Sequence, residues 1–342
     1  MIDCRLNILA AGMVTAVGLD WTSSCAALRG RLDGFQETVF LGPKKKPLIG
    51  APVHLPRPWQ GEKRLIHLAA GAIHDLLERA GAQSAGADLI LCLAEHDRAG
   101  AIHVDAKRLV RLLQDYTGFR AVSEAVVLRE GRTAGAIALG HAQNLCKSSG
   151  RPVIILAVDS YLNARTINHY VSENRILCEQ TSDGFIPGEA AAAVLVSASR
   201  PGMRVSGLGF GQEPAALLNV NSDGYPNAPF RCDGMADAYR AALDAADISL
   251  DQVGLKISDH IGESYWFNQT ALAMLRVQRI RSKVQPIWCL GSLLGNVGAC
   301  AMPVMLGWSL AAMNRHYAPQ QPIIIEASRD DGHCAAVVLE AA

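Results

Sequence analysis

The chain carries no net charge: its 32 basic and 32 acidic side chains cancel across 342 residues, and the pI is near 7.1. That balance argues against bulk attraction to nucleic acid or to an anionic membrane. The nine cysteines (4, 25, 92, 146, 178, 232, 289, 300, 334) form no CxxC pair. Zinc is therefore not expected, and no cofactor is implied. Most of these cysteines sit in apolar segments and read as small buried thiols of a reducing compartment. A secretory leader is not expected either, because "MIDCRLNILAAG" has an acid at position 3 and only a short apolar stretch. It reads as a first strand of a cytoplasmic protein.

One stretch lacks charge altogether, from Pro286 to Asn314, with "RIRSK" before it and Arg315 after it. Length and flanks would suit a membrane-spanning helix. Its glycines, its asparagine, its internal proline and its strand-like first third favour a buried central helix instead. What the chain does have is apolar material, half of all residues, enough for a large core. Two basic clusters, Lys44-Lys45-Lys46 and Arg276/Arg279/Arg281/Lys283, read as solvated charge, with docking of an acidic partner as the other reading. The turn-rich "NVNSDGYPNAP", residues 219–229, reads as a surface loop that could line a pocket or an interface.

The chain is written twice. Residues 62–97 run amphipathic helix, small-residue turn, apolar strand, and residues 234–263 repeat that order. Glu95-His96 and Asp259-His260 fall at matching places. "EAVVLREGRTAGAIALGHAQNL" then lies over "QPIWCLGSLLGNVGACAMPV", each a strand, a glycine turn and a small-residue helix. "RPVIILAVDSYL…DGFIPGEAAAAVLVSA" lies over "QPIIIEASRDDGHCAAVVLEAA", with a longer insert in the first copy. The expectation is an α/β protein of two β-α-β-α-β-β halves, 1–200 and 201–342, related by a pseudo-two-fold axis. The helices 133–147 and 293–313 would lie side by side at the centre.

These words resemble those of the thiolase-like superfamily, and of β-ketoacyl-ACP synthases in particular. "AAGMVTAVGLDWTSSCAALRGRLDGF" is similar to that family's opening strand, turn and helix. "DGFIPGEAAAAVLV" resembles its Asp-Gly-Phe-x-x-Gly-Glu-Gly-Ala segment, and "LGSLLGNVGACA" its Thr-Gly-His-x-x-Gly-Ala-Ala-Gly turn. The resemblance implies an αβαβα layered fold and pairing with a second thiolase-fold chain, as a homodimer or a heterodimer. It also implies a site made of one Cys nucleophile and two His residues.

This chain departs from that site. With Gly140 taken as the family's glycine after the cysteine turn, the nucleophile position falls on Arg132, and a one-residue shift gives Gly131 or Thr133. The first family His corresponds to His260, the second to Ser292, and the closing Gly-Phe-Gly-Gly-Thr-Asn loop reads "RDDGHC". An arginine stays protonated and cannot form a thioester. Ordinary condensation is therefore not expected.

Four readings of the altered pocket remain open. One is a pseudo-enzyme that binds a partner, as chain-length-factor subunits do. Another is an acyltransferase or hydrolase with Ser292 as nucleophile, His260 as base and Glu263 or Asp259 as orienter. A third has Arg132, with Thr133, Glu263, Gly291, Asp330, Asp331, Gly332 and His333 around it, binding a carboxylate or a phosphopantetheine or CoA phosphate, as an acyl-carrier-protein binder would. Its bland counterpart is Arg132 plugging the pocket against Asp330, Asp331 or Glu263. The fourth is an adaptor in a larger assembly, for example one accompanying a secreted effector.

Overall fold

The computed structural model describes residues 6–220, 227–280 and 285–341. In the first half the elements are β1 (Leu6–Val14), α1 (Trp21–Arg29), β2 (Gln36–Leu41), β3 (Pro47–Gly50), α2 (Gly61–Ala80), β4 (Asp88–Cys92) and α3 (Ala106–Thr117). They continue with β5 (Val126–Leu128), α4 (Ala134–Ser149), β6 (Val153–Ser160), α5 (Ala164–Ser172) and β7 (Glu189–Ser197). The second half holds β8 (Met203–Gln212), α6 (Asp233–Ala246), β9 (Leu255–Ser258), α7 (Ser264–Val277) and β10 (Ile287–Cys289). It ends with α8 (Gly291–Leu294), α9 (Ala301–Asn314), β11 (Ile323–Ser328) and β12 (His333–Glu340).

The strand order is β10-β9-β11-β12-β8-β1-β7-β6-β4-β5, so each half contributes five strands in the same order and the halves meet head to head at β8 and β1. That meeting is short and antiparallel, from Leu6 opposite Val205 to Ile8 opposite Met203. Each half carries one more helix–strand step than the expected β-α-β-α-β-β unit, because β5 and β10 are strands in their own right, each only three residues long.

Period-two alternation sorts the strand side chains into layers. Val153, Ile155 and Ala157 of β6 face a central core with α4 and α9, while Ile154, Leu156 and Val158 face α2. In β12, Ala335, Val337 and Leu339 face the same central core, and Cys334, Ala336 and Val338 face α6. Helices α4 and α9 thus lie between the two half-sheets, with α2 and α3 on one outside and α6 and α7 on the other. The αβαβα layering is observed, and it accounts for the charge-free segment: α9 is buried from Ala301 to Met313. Among the described residues no helix is long and apolar enough to cross a membrane.

Two expectations are corrected here. The central helix of the second half does not run 293–313. It begins at Ala301, after the short α8 and a break at residues 295–297. The chain passes directly from β5 to a 3₁₀ turn at Gly131–Thr133, whereas β10 reaches the equivalent turn, Gly298–Cys300, only after α8. The structural twin of Arg132 is therefore Ala299 and not Ser292.

Candidate functional site

Arg132 lies in a 3₁₀ turn that leads directly into α4. The turn needs glycine at 131: φ is +46°, and a Cβ there would lie 1.8 Å from Glu95 Oε1. At the twin turn, Gly298 has φ +55° and its Cβ would lie 1.9 Å from Asp159 Oδ2. Both helix starts therefore press on a carboxylate. Between these acids sits Arg98, which clamps Asp159 at 2.6 and 2.7 Å and lies 3.9 Å from Glu95 Oε2.

The Arg132 side chain is only 3 % exposed. A cation at a helix N-terminus faces the wrong end of the dipole, so it needs local anions. They are Asp259, 3.3 Å from one terminal nitrogen, and Asp330, 3.2 Å from the other. The guanidinium also stacks 4.1 Å above the Trp266 ring. Trp266 donates its indole N–H to Glu263 Oε2 at 2.9 Å. Arg175 then grips both Glu263 oxygens at 2.6 and 2.9 Å and donates to Asp330 Oδ2 at 2.7 Å. The result is a closed ring, Arg132–Asp330–Arg175–Glu263–Trp266.

Burial alone would lower the Arg132 pKa, but Asp259 and Asp330 outweigh it and raise it. Burial would raise the Asp330 carboxyl, yet Arg175 and Arg132 hold it below its ordinary value. At Asp259 burial wins over Arg132, and the carboxyl is raised. The space left over Arg132 is a cleft of about 210 Å³, lined also by Glu95, Arg98, Tyr161, Tyr170, Arg175 and Asp330. That is below the usual span of small-molecule sites, about 300–1,000 Å³.

The other expected site residues divide. Thr133 is buried and donates to the Glu130 carbonyl at 3.1 Å, closing its own turn. Asp331 lines the same cleft as Arg132 but pairs with Arg329 at 2.6 Å and His333 at 3.1 Å. Gly332, at φ +93°, turns β11 into β12. Gly291 opens α8 against the carbonyl of His260.

His260 is buried: Nε2 meets Thr270 Oγ1 at 2.8 Å, and Nδ1 faces Cys289 Sγ at 3.9 Å. Burial, then Lys256 and Arg132, push its pKa down to about 3, so the imidazole is neutral and a weak base. Behind it, Thr270 donates to Glu326 at 2.8 Å, and Glu326 pairs with the buried Lys256 at 2.9 Å. Ser292 is exposed and donates to the Cys289 carbonyl at 2.7 Å. Among the described residues no hydrogen bond joins Ser292 to His260, and Glu263 is engaged by Arg175 and Trp266. The Ser292–His260–Glu263 triad is not assembled, because the residues between β10 and the twin turn carry Ser292 to a different cleft. Asp259, the other expected orienter, accepts from Arg132 and from the Ser328 backbone N–H.

Sequence reasoning missed Arg175, Trp266, Arg98 and Asp159. The first lies in the insert between β6 and β7, and its only local signal is the neighbouring "DGFIPGEA". That segment has structural work: Asp183 caps α7 through Ser264, and Glu189 binds Arg64, Ser160 and the Val53 N–H. Of the basic clusters, Lys46 pairs with Glu179 and Arg276 with Asp233, while residues 281–284 lie outside the described residues, as do 221–226 of the turn-rich loop. No group of three or more His, Cys, Asp or Glu suited to a metal occurs among the described residues.

No family model and no curated protein matches the chain. Solved structures do. A type II polyketide acyl-carrier protein in complex with its hexaketide-bound ketosynthase matches at TM-score 0.78 and 14% identity, over 99% of both chains. A ketosynthase in complex with its chain length factor from Xenorhabdus doucetiae matches at 0.74 and 14%, over 99% of this chain and 98% of that one. A beta-ketoacyl synthase from Burkholderia phymatum matches at 0.72 and 15%, over 99% of both. The fold is that of the thiolase-like ketosynthases.

Proposed function

We propose that this chain is a non-condensing, ketosynthase-like subunit that acts by holding a protein partner, in the first place a second thiolase-fold chain. The observation that carries this reading is the ring around Arg132: the turn that the resemblance assigns to the nucleophile holds a guanidinium locked between Asp259 and Asp330. No thioester can form on that side chain. Each guanidinium of the ring has carboxylate partners, which offset the cost of burying it.

Partner binding draws support from the solved neighbours, two of which are complexes with a chain length factor or a carrier protein. It also draws support from β5, which ends the sheet with Val127 exposed and with Val122 and Tyr116 exposed nearby. An open strand edge is a template for another chain. The division at residues 200 and 201 belongs to the same reading, since the link between β7 and β8 joins two five-stranded halves. Carrier-protein docking and a role as an adaptor for a secreted protein are other partners for the same non-condensing subunit, and a cytoplasmic location suits each of them.

The test has two arms. With malonyl-ACP and an acyl-thioester, the isolated chain is expected to release no CO₂ above a protein-free control. In light scattering after size exclusion, it is expected to run as a dimer or to form a stable complex with a co-expressed ketosynthase. Catalytic release of CO₂ would overturn the non-condensing reading. A monomer that captures neither a ketosynthase nor a carrier protein would overturn the partner reading.

A further inference from the structure

We propose that a second cleft, the one that receives Ser292, binds a planar organic anion: a ring or conjugated system carrying a carboxylate or a phosphate. It lies between the end of α1, the edge strand β10, α8, the middle of α9 at Trp308 and Tyr317 beyond that helix, and has a volume of about 480 Å³. That falls within the range of small-molecule sites and is more than twice the space above Arg132.

Its lining has one chemical bias. Arg29 and Arg31 stand at its rim, and no acidic residue lines it. Neither arginine makes an ion pair among the described residues; Arg29 instead lies 4.8 Å over the Tyr317 ring. The contrast with Arg98, Arg132, Arg175 and Arg329 is plain, because each of those is paired with a carboxylate. Two guanidiniums without counter-ions beside an enclosed surface are suited to an anion.

The wall is flat and aromatic. Trp288 stacks on Trp308 with centroids 4.7 Å apart at 23°, and on Tyr317 at 6.0 Å and 22°. Three rings in near-parallel planes present a face on which a planar ligand can stack. The floor adds no opposing charge. Burial raises the Cys289 thiol pKa, and its neighbour His260 is neutral. Cations and aromatic rings therefore converge on one class of ligand, independently of the site at Arg132.

Calorimetric titration with 2-naphthoate, 1-naphthyl phosphate and the neutral 2-naphthalenemethanol tests this. At least one of the two anions is expected to bind with a Kd of about 1 mM or tighter, and the neutral compound about tenfold more weakly or worse. The better anion reports whether the natural head group is a carboxylate or a phosphate. The double variant Arg29→Gln/Arg31→Gln, both exposed positions, is expected to lose about tenfold in affinity or more at an unchanged melting temperature. Absence of binding by both anions, equal binding of the neutral compound, or full affinity in the double arginine variant would each overturn the proposal.

Discussion

The two helix-start turns at the centre of the molecule, Gly131-Arg132-Thr133 and Gly298-Ala299-Cys300, share a backbone and differ in their chemistry. Each begins with a left-handed glycine pressed on a carboxylate. At the second turn the backbone meets the acid directly: the Ala299 N–H donates to Asp159 Oδ2 at 2.9 Å, and Arg98 neutralises the charge from the other side. At the first turn the acid, Glu95, keeps one buried oxygen without a hydrogen bond, and the side chain of Arg132 reaches away to Asp259 and Asp330. One turn caps a helix with an anion, as the helix dipole favours. Its twin carries a cation that the fold tolerates only because two carboxylates and an indole enclose it. A shared backbone therefore does not imply a shared chemistry, and the difference lies in which charges each turn recruits.

Five substitutions probe that difference. Arg132→Met has the largest expected effect, because it strands Asp259 and Asp330; removing one partner of a buried pair costs about 3–5 kcal/mol. Urea unfolding would read it as a lowered midpoint, and an unchanged midpoint would mean that the ring contributes nothing.

Glycine to alanine at the two turns comes next. Gly298→Ala drives a methyl group into Asp159, which is fixed by Arg98 and by the Ser160 and Ala299 N–H groups, and is expected to cost about 2–3 kcal/mol. Gly131→Ala meets the less tethered Glu95 and is expected to cost about 1–2 kcal/mol. The reverse order would show that Glu95 is the more rigid of the two.

A pH series separates the charges. Because the folded state holds the Asp330 carboxyl below its ordinary 3.8, its contribution is complete above that value and drains away as pH falls through the lower folded value. The gap in melting temperature between the native chain and Asp330→Asn is expected to be constant near neutrality and to shrink below about pH 4. A gap that widens on acidification would contradict the assigned direction. Ser292→Ala has the smallest expected effect: an exposed hydroxyl with one backbone acceptor should change stability by no more than about 0.5 kcal/mol.

Much of the fold is legible in the sequence because the order of helices and strands is repeated and the apolar periods are strong, as in "VIILAV" and "HCAAVVLE". The site is legible only in part. Arg132, Asp330 and Glu263 stand out because they occupy positions where the resemblance calls for other residue types. Their linkage through Arg175 and Trp266 is not legible, since those two come from an insert without a motif and from the middle of α7's first turn. Ser292 is misplaced by sequence for a related reason. Matching glycines aligns "LGSLLGNVGACA" with the first copy as a whole and cannot register that α8 intervenes between the strand and the turn. Charge pairing across four segments and the length of one connection are tertiary facts.

Intact-protein mass spectrometry after incubation with an acyl-thioester at neutral pH tests the central claim most directly. On the proposed reading, in which Arg132 takes the nucleophile's place, the chain is expected to keep its unmodified mass. A stoichiometric acyl adduct, released on exposure to a malonyl-thioester, would contradict it.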